Sequence, residues 1–177
     1  MKISLKTMYK ESDKISLIKS FEPIFDSKSS VLILGTMASP ASLKSGFYYG
    51  HPQNAFWRIL SDITKDSVAI TVEEKKTFLL RNGIALWDTL KSCERIGALD
   101  SDIRAPQPND IAQLTQQCPT LKAVLLNGGV AFNFYKRYHA PHIKLPFYKL
   151  PSTSPANAKG GYEKKMSIWK TAFKNII

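Results

Sequence analysis

Three stretches of this chain carry side chains whose types and spacing could do chemistry together. The first is Gly35-Thr36-Met37-Ala38-Ser39-Pro40, followed by Gly46-Phe47-Tyr48-Tyr49-Gly50-His51-Pro52-Gln53-Asn54-Ala55-Phe56-Trp57. It combines a glycine, three adjacent aromatics and Asn54. Aromatic rings on a loop can stack on a nucleic-acid base. Phe56 and Trp57, at helical spacing with Ile59 and Leu60, read instead as core; for Tyr48 and Tyr49 stacking and packing both stay open. The second stretch is Leu150-Pro151-Ser152-Thr153-Ser154-Pro155-Ala156-Asn157-Ala158. Small hydroxyls and free backbone N–H groups suit phosphate contacts, and prolines cut the entropy lost on binding. A Pro/Ser loop taken alone is a surface turn. The third is Gly83-Ile84-Ala85-Leu86-Trp87-Asp88. An ionised Asp88 offers only acceptor oxygens, and the same residue could simply cap the following turn.

The elements that must position these residues follow from hydrophobic pattern. Val31 to Leu34 is a continuous apolar run closed by Gly35, the signature of a buried parallel strand. Ile84 to Trp87, Leu121 to Leu126 and Ile143 to Leu150 read as three more strands, the last interrupted by Pro146. Helical spacing covers Ala55 to Ile63. Thr71 and Glu74 form a capping box for a helix reaching Arg81 or Asn82, with Gly83 suited to its end. Asn109 is placed to cap a helix that stops before Pro119, and further helices are expected over 129–138 and 161–175. Leu17, Ile18, Phe21 and Ile24 suggest a short helix. Residues 35–52 look like a long loop, and 92–108 look irregular.

Strands thus alternate with helices four times. The expectation is one domain over residues 1–177, a three-layer α/β/α fold around a four-stranded, mostly parallel sheet. Ligands of such sheets sit at the carboxyl ends of the strands. The loop after Leu34, the residues after Leu86 and the loop after Leu150 should therefore converge.

Composition narrows the partners. Of 177 residues, 25 are Lys or Arg and 14 are Asp or Glu, a formal charge of +11. That excess favours a polyanion, nucleic acid first and an anionic membrane surface second; a generally basic, soluble surface would look the same. No apolar run approaches the roughly 20 residues needed to cross a bilayer. The stretch Met1 to Ser20 lacks the apolar core of a secretory signal. An intracellular protein is expected, in cytoplasm, nucleoid or nucleus. Two cysteines, Cys93 and Cys118, cannot supply a four-thiolate zinc or iron–sulfur site, and both read as packing residues. There is no P-loop, dinucleotide fingerprint, metalloprotease helix or nucleophile elbow.

The first and second stretches resemble the signature motifs of the uracil-DNA glycosylase superfamily, and most of all its hypoxanthine-DNA glycosylase branch. The resemblance spans about residues 30–160. It implies the superfamily's α/β fold and an enzyme that flips a deaminated base out of double-stranded DNA and hydrolyses its N-glycosidic bond. Within the first motif Met37 stands where other branches carry the Asp, Asn or Glu that positions the attacking water. The hypoxanthine branch suggests that Asn54 has that role here. Ala38 replaces the family's proline, which leaves this loop less rigid, and Leu150 stands where many relatives have His.

By the same resemblance the base-reading position falls on Asp88. Gly35, Met37, Tyr48, Tyr49 and Asn127 would complete the base pocket. Ser39, His51, Pro151, Ser152, Thr153, Ser154, Pro155 and Asn157 would contact DNA. The run Cys93 to Asp100 also resembles this branch, although no role can be read from its chemistry. The expected enzyme is a monomer that uses no metal or cofactor and does not engage a membrane. It is monofunctional, since no lysine is singled out as a nucleophile. Three alternatives stand beside it. One is an enzyme of the same kind acting on uracil or xanthine, and another is a DNA-binding module on this fold without activity. The third is an α/β enzyme for a small phosphorylated metabolite, disfavoured by the missing Gly-rich loop.

Overall fold

The computed structural model describes residues 15–68 and 70–176; most of the Met1–Ser20 stretch lies outside the described residues. Four strands form the parallel sheet that the apolar runs predict: β2 (Val31–Gly35), β3 (Ile84–Asp88), β6 (Ala123–Asn127) and β7 (Phe147–Leu150), in the order β3-β2-β6-β7. Strands β2 and β6 are buried along their whole length, as expected of strands covered on both faces. Alternation along β2 sends Val31 and Ile33 to one face and Leu32 and Leu34 to the other. The first face is covered by α2 (Phe56–Thr64), α3 (Val72–Arg81) and α6 (Gly161–Lys174), through Phe56, Ile59, Leu60, Phe78, Leu79, Trp169 and Phe173. The second is covered by α4 (Ile111–Gln117) and α5 (Gly129–Tyr138), through Ile111, Leu114, Ala131 and Tyr135. Helix α3 opens with the expected capping box, Thr71 Oγ accepting from Glu74 N–H and Glu74 accepting from Thr71 N–H. Such a cap contributes about 1 kcal/mol.

Register positions the future site. Gly35 pairs with Asp88 across β2–β3, and Asn127 pairs with Leu150 across β6–β7. All four lie on one carboxyl edge. The chain leaves β2 for β3 on one side and then crosses to β6 on the other, so the crevice beyond β2 and β6 is the switch point where open sheets hold ligands.

Several expectations are corrected. The stretch around Leu17 is a strand, β1 (Ser16–Lys19), and Ile24 makes an isolated bridge to Leu86. Residues 92–108 are not irregular: β4 (Leu90–Arg95) pairs antiparallel with β1 and with β5 (Arg104–Pro108), forming a second, three-stranded sheet. Strand β1 is exposed except at Ile18, and β5 is mostly exposed and carries two prolines. Neither has an apolar run to betray it, and each is a strand because β4 offers it partners. The 35–52 loop contains α1 (Pro40–Ser45), capped by the Ser39 hydroxyl. Strand β7 begins only at Phe147, after Pro146. Helix α4 is capped by Asp110 rather than Asn109; Asn109 is buried and donates to the Asp88 and Leu90 carbonyls, both at 2.9 Å. Both cysteines are free and buried. Among the described residues no helix is long and apolar enough to cross a membrane, and no cluster of three or more His, Cys, Asp or Glu side chains could hold a metal ion.

Candidate active site

A cavity of about 360 Å³ opens at this carboxyl edge, within the range of small-ligand sites, roughly 300–1,000 Å³. Its floor is the end of β2. A Cβ on Gly35 would lie 2.5 Å from Asp88 Oδ1 and 3.0 Å from the Tyr49 hydroxyl. Only glycine lets the carboxylate and the phenol close over that strand end. Asp88 is almost fully buried, and its Oδ2 has no hydrogen-bond partner among the described residues. Burial, reinforced by the nearby Asp100 charge and opposed by Arg95, pushes its pKa up to about 7. An acceptor left bare in a buried site costs about 1–3 kcal/mol, so this carboxyl is poised for a group that the cavity admits.

The two tyrosines divide in role. Tyr48 is buried, and its hydroxyl donates to the Glu22 carbonyl at 2.8 Å with Phe21 O close by. Its ring meets Phe21 and Phe47 edge to face. It lines the cavity as a fixed wall. Tyr49 sits at φ 52°, the left-handed region, and stacks on Phe56 with centroids 3.8 Å apart. Such a backbone costs of order 1–3 kcal/mol, and here it places a buried hydroxyl at the cavity near Asn127, without a well-formed hydrogen bond among the described residues.

Asn54 also lines the cavity. Its Oδ1 accepts the Phe56 N–H at 3.0 Å, a turn that leads into α2. One lone pair is therefore committed, and the other, with the amide N–H groups, remains for a ligand or a water.

The Pro151–Ala158 loop is stitched in place. Asn127 holds Thr153 twice, accepting its N–H and donating to its hydroxyl, both at 2.9 Å. The Thr153 carbonyl accepts from Ala55 N–H, and Pro151 O accepts from the Trp169 indole. Asn157 Nδ2 donates to Ser152 O, and the Ser152 hydroxyl accepts from Ser154 N–H. The loop that could face a phosphate is thus ordered before anything binds.

Gly35, Met37, Ser39, Tyr48, Tyr49, Asn54, Asp88, Asn127, Ser152, Thr153, Ser154 and Asn157 all line this one cavity. His51, Pro151 and Pro155 are not part of its wall; His51 Nδ1 accepts from Gln53 N–H in the preceding turn. Sequence reasoning missed Phe21, Thr36 and the β4–β5 turn, whose Ala98, Leu99, Asp100 and Ser101 form another wall. It also missed Arg95. That guanidinium is fully buried, donates to Ala38 O at 2.7 Å and meets Asp100 Oδ1 at 3.2 Å. It pins the loop in which alanine stands for proline. The only forewarning was the resemblance of the Cys93–Asp100 run.

The geometry has counterparts among known proteins. Residues 22–173 match the family model described as the uracil DNA glycosylase superfamily. A Methanosarcina barkeri protein named hypoxanthine DNA glycosylase is 34% identical over 160 residues, spanning 88% of this chain and 98% of its own length. A protein of the same name from Methanosarcina acetivorans is 31% identical over 161 residues, spanning 89% and 98%. A solution NMR structure of a Methanosarcina acetivorans protein assigned to the uracil DNA glycosylases superposes with a TM-score of 0.79 at 29% identity, covering 91% of this chain and 99% of that one. The chain belongs to the uracil DNA glycosylase superfamily.

Proposed function

We propose that this protein is a monofunctional DNA glycosylase that extrudes deoxyinosine from duplex DNA and hydrolyses the bond between hypoxanthine and its sugar. The observation that carries the reading is Asp88, a buried carboxyl with a bare oxygen in a cavity of about 360 Å³ at the switch point of the sheet. The names of the two archaeal relatives support the choice of base. Ionised Asp88 accepts the N1–H of hypoxanthine. Adenine has a lone pair at N1 and would be repelled, the kind of unfavourable contact on which specificity often rests. Tyr49 and Met37 pack on the base, and Asn127 braces the pocket against the second loop. Asn54 positions a water with the lone pair that the Phe56 N–H leaves free. Ser39, His51 and the segment Pro151 to Asn157 meet the DNA backbone through hydroxyls and N–H groups.

Little covalent help is needed: the enzyme holds the extruded nucleotide, places the water and stabilises the departing base. In this reading the protein acts as an intracellular monomer without metal. The test is a panel of duplexes, each with one hypoxanthine, uracil or xanthine, incubated with protein and then treated with alkali. Alkali-labile sites at deoxyinosine, with no cut before alkali, are the expected result. Tight duplex binding with no abasic site in any arm would favour a DNA-binding module and overturn the reading.

A further inference from the structure

A neutral amide can orient a water but cannot take its proton, and Met37 can do neither. Among the described residues two carboxyl groups line the cavity, Asp88 and Asp100. They are held very differently. Asp88 sits on the strand floor with Oδ2 bare, whereas Asp100 stands on the β4–β5 turn with its side chain about one-third exposed. Arg95, with no exposed surface of its own, crosses under the Ala38 loop to reach Asp100 Oδ1. A buried cation of this kind favours its partner's charged form against the pull of burial. The second Asp100 oxygen is not used by Arg95.

We propose that Asp100 is a second catalytic carboxylate of this cavity, accepting the proton of the attacking water that Asn54 orients, and that Arg95 is its positioning residue. The inference rests on the glycosylase reading above. In the step, the water oxygen bonds to C1′ of the deoxyribose as the C1′–N9 bond breaks and its electron pair leaves with the purine. The proton lost by the water passes to Asp100. The purine anion is protonated from solvent, and Asp100 returns its proton to solvent. A positioned base of this sort is worth about 10²–10⁴ in rate.

The charged and titratable groups around Asp100 are Arg95 and the Cys93 thiol from β4, Asp88 from β3 and Tyr49 from the aromatic loop, with the Thr36 hydroxyl beside it. Burial raises the Asp100 pKa, while Thr36 and Arg95 oppose the rise. Asp88 has no hydrogen-bonding group to oppose its own. Removing either carboxyl therefore leaves the other's titration to be read alone.

The test is single-turnover hypoxanthine release as a function of pH for wild type, D88N and D100N, with DNA affinity and melting temperature measured alongside. D100N keeps an amide oxygen for Arg95. The expected result is a rate loss of about a hundredfold or more in D100N with DNA affinity within threefold of wild type. The acid-side bend that persists in D88N should vanish in D100N. A D100N rate within threefold of wild type, or a slower D100N that keeps that bend, overturns the proposal and leaves Asp100 as a counter-ion for Arg95. Should D100N fail to fold, the D88N profile decides: an acid-side bend supports the proposal, and a profile without one contradicts it. Absence of base release by wild type from every duplex would sink the glycosylase reading itself.

Discussion

Replacing Asp88 by Asn should make the protein gain stability over wild type as pH rises, and make it less active. The carboxyl is buried, and its pKa is pushed from 3.8 to about 7, first by burial and then by Asp100, against the pull of Arg95. In the unfolded chain it ionises near 3.9. A raised folded pKa means that folding favours the protonated form. Its stabilising contribution is complete below about pH 4 and is lost as pH rises to about 7. Three pKa units at 1.36 kcal/mol each set the loss at about 4 kcal/mol. Asparagine has no proton to lose. Asp88→Asn and wild type should therefore differ by a constant at pH 4 and diverge by up to about 4 kcal/mol by pH 8, in favour of the variant. For a domain of this size that corresponds to roughly 8–16 °C in melting temperature. Any offset from altered hydrogen bonding is the same at both ends and cancels in the comparison. The assay is thermal unfolding of both proteins from pH 4 to 8. In parallel, loss of the charge-assisted bond to N1–H should slow hypoxanthine release by roughly tenfold to a hundredfold, about 1.5–3 kcal/mol, and weaken discrimination against adenine. A difference in melting temperature that stays constant with pH, together with an unchanged hypoxanthine-to-adenine rate ratio, would refute both the buried titration and the base-reading role.

Other expectations are simpler to check. Asn54→Ala should remove most single-turnover activity with DNA affinity nearly intact. Because Asn54 Oδ1 also accepts the Phe56 N–H, the loss of that bond should cost about 1 kcal/mol in a denaturant melt; near wild-type cleavage would move the catalytic role elsewhere. Gly35→Ala would push a methyl to 2.5 Å from Asp88 Oδ1, so hypoxanthine release should fall while far-UV circular dichroism is retained; full activity would show that the Gly35–Asp88 contact is not needed. With a net charge of +11, log affinity for duplex DNA should fall by about 0.9 per neutralised phosphate per log unit of salt, and a flat response would argue against a phosphate-tracking surface. Activity should persist undiminished in a chelator, without strand cleavage before alkali; loss on chelation would demand a metal.

The parallel sheet was legible because β2, β3 and β6 are buried runs bounded by Gly35, Gly83 and Asn127, and burial on both faces leaves an unmistakable apolar pattern. The capping box of α3 was legible because it is local. The small antiparallel sheet was not: Leu17 is exposed, β5 reads Arg-Ala-Pro-Gln-Pro, and pairing with β4 alone makes them strands. The same holds for the site. Gly35, Asp88 and Asn127 could be placed at strand ends from pattern and resemblance. Their convergence at one sheet edge was expected from the alternation of strands and helices, whereas the direct pairing of Gly35 with Asp88 and of Asn127 with Leu150 depends on a register that no single segment encodes. Arg95 and Asp100 sit on the second sheet and its turn, so their reach into the cavity became visible only when that sheet was folded over the Ala38 loop.

Identifying the released product tests hypoxanthine release by this protein most directly. A duplex with a single deoxyinosine should be incubated with excess wild-type protein and the small-molecule fraction resolved by mass. Free hypoxanthine is expected in step with abasic sites, with no adenine from the matched undamaged duplex. Free uracil from a deoxyuridine duplex at an equal or greater rate, or deoxyinosine and its phosphate in place of the free base, would contradict this expectation.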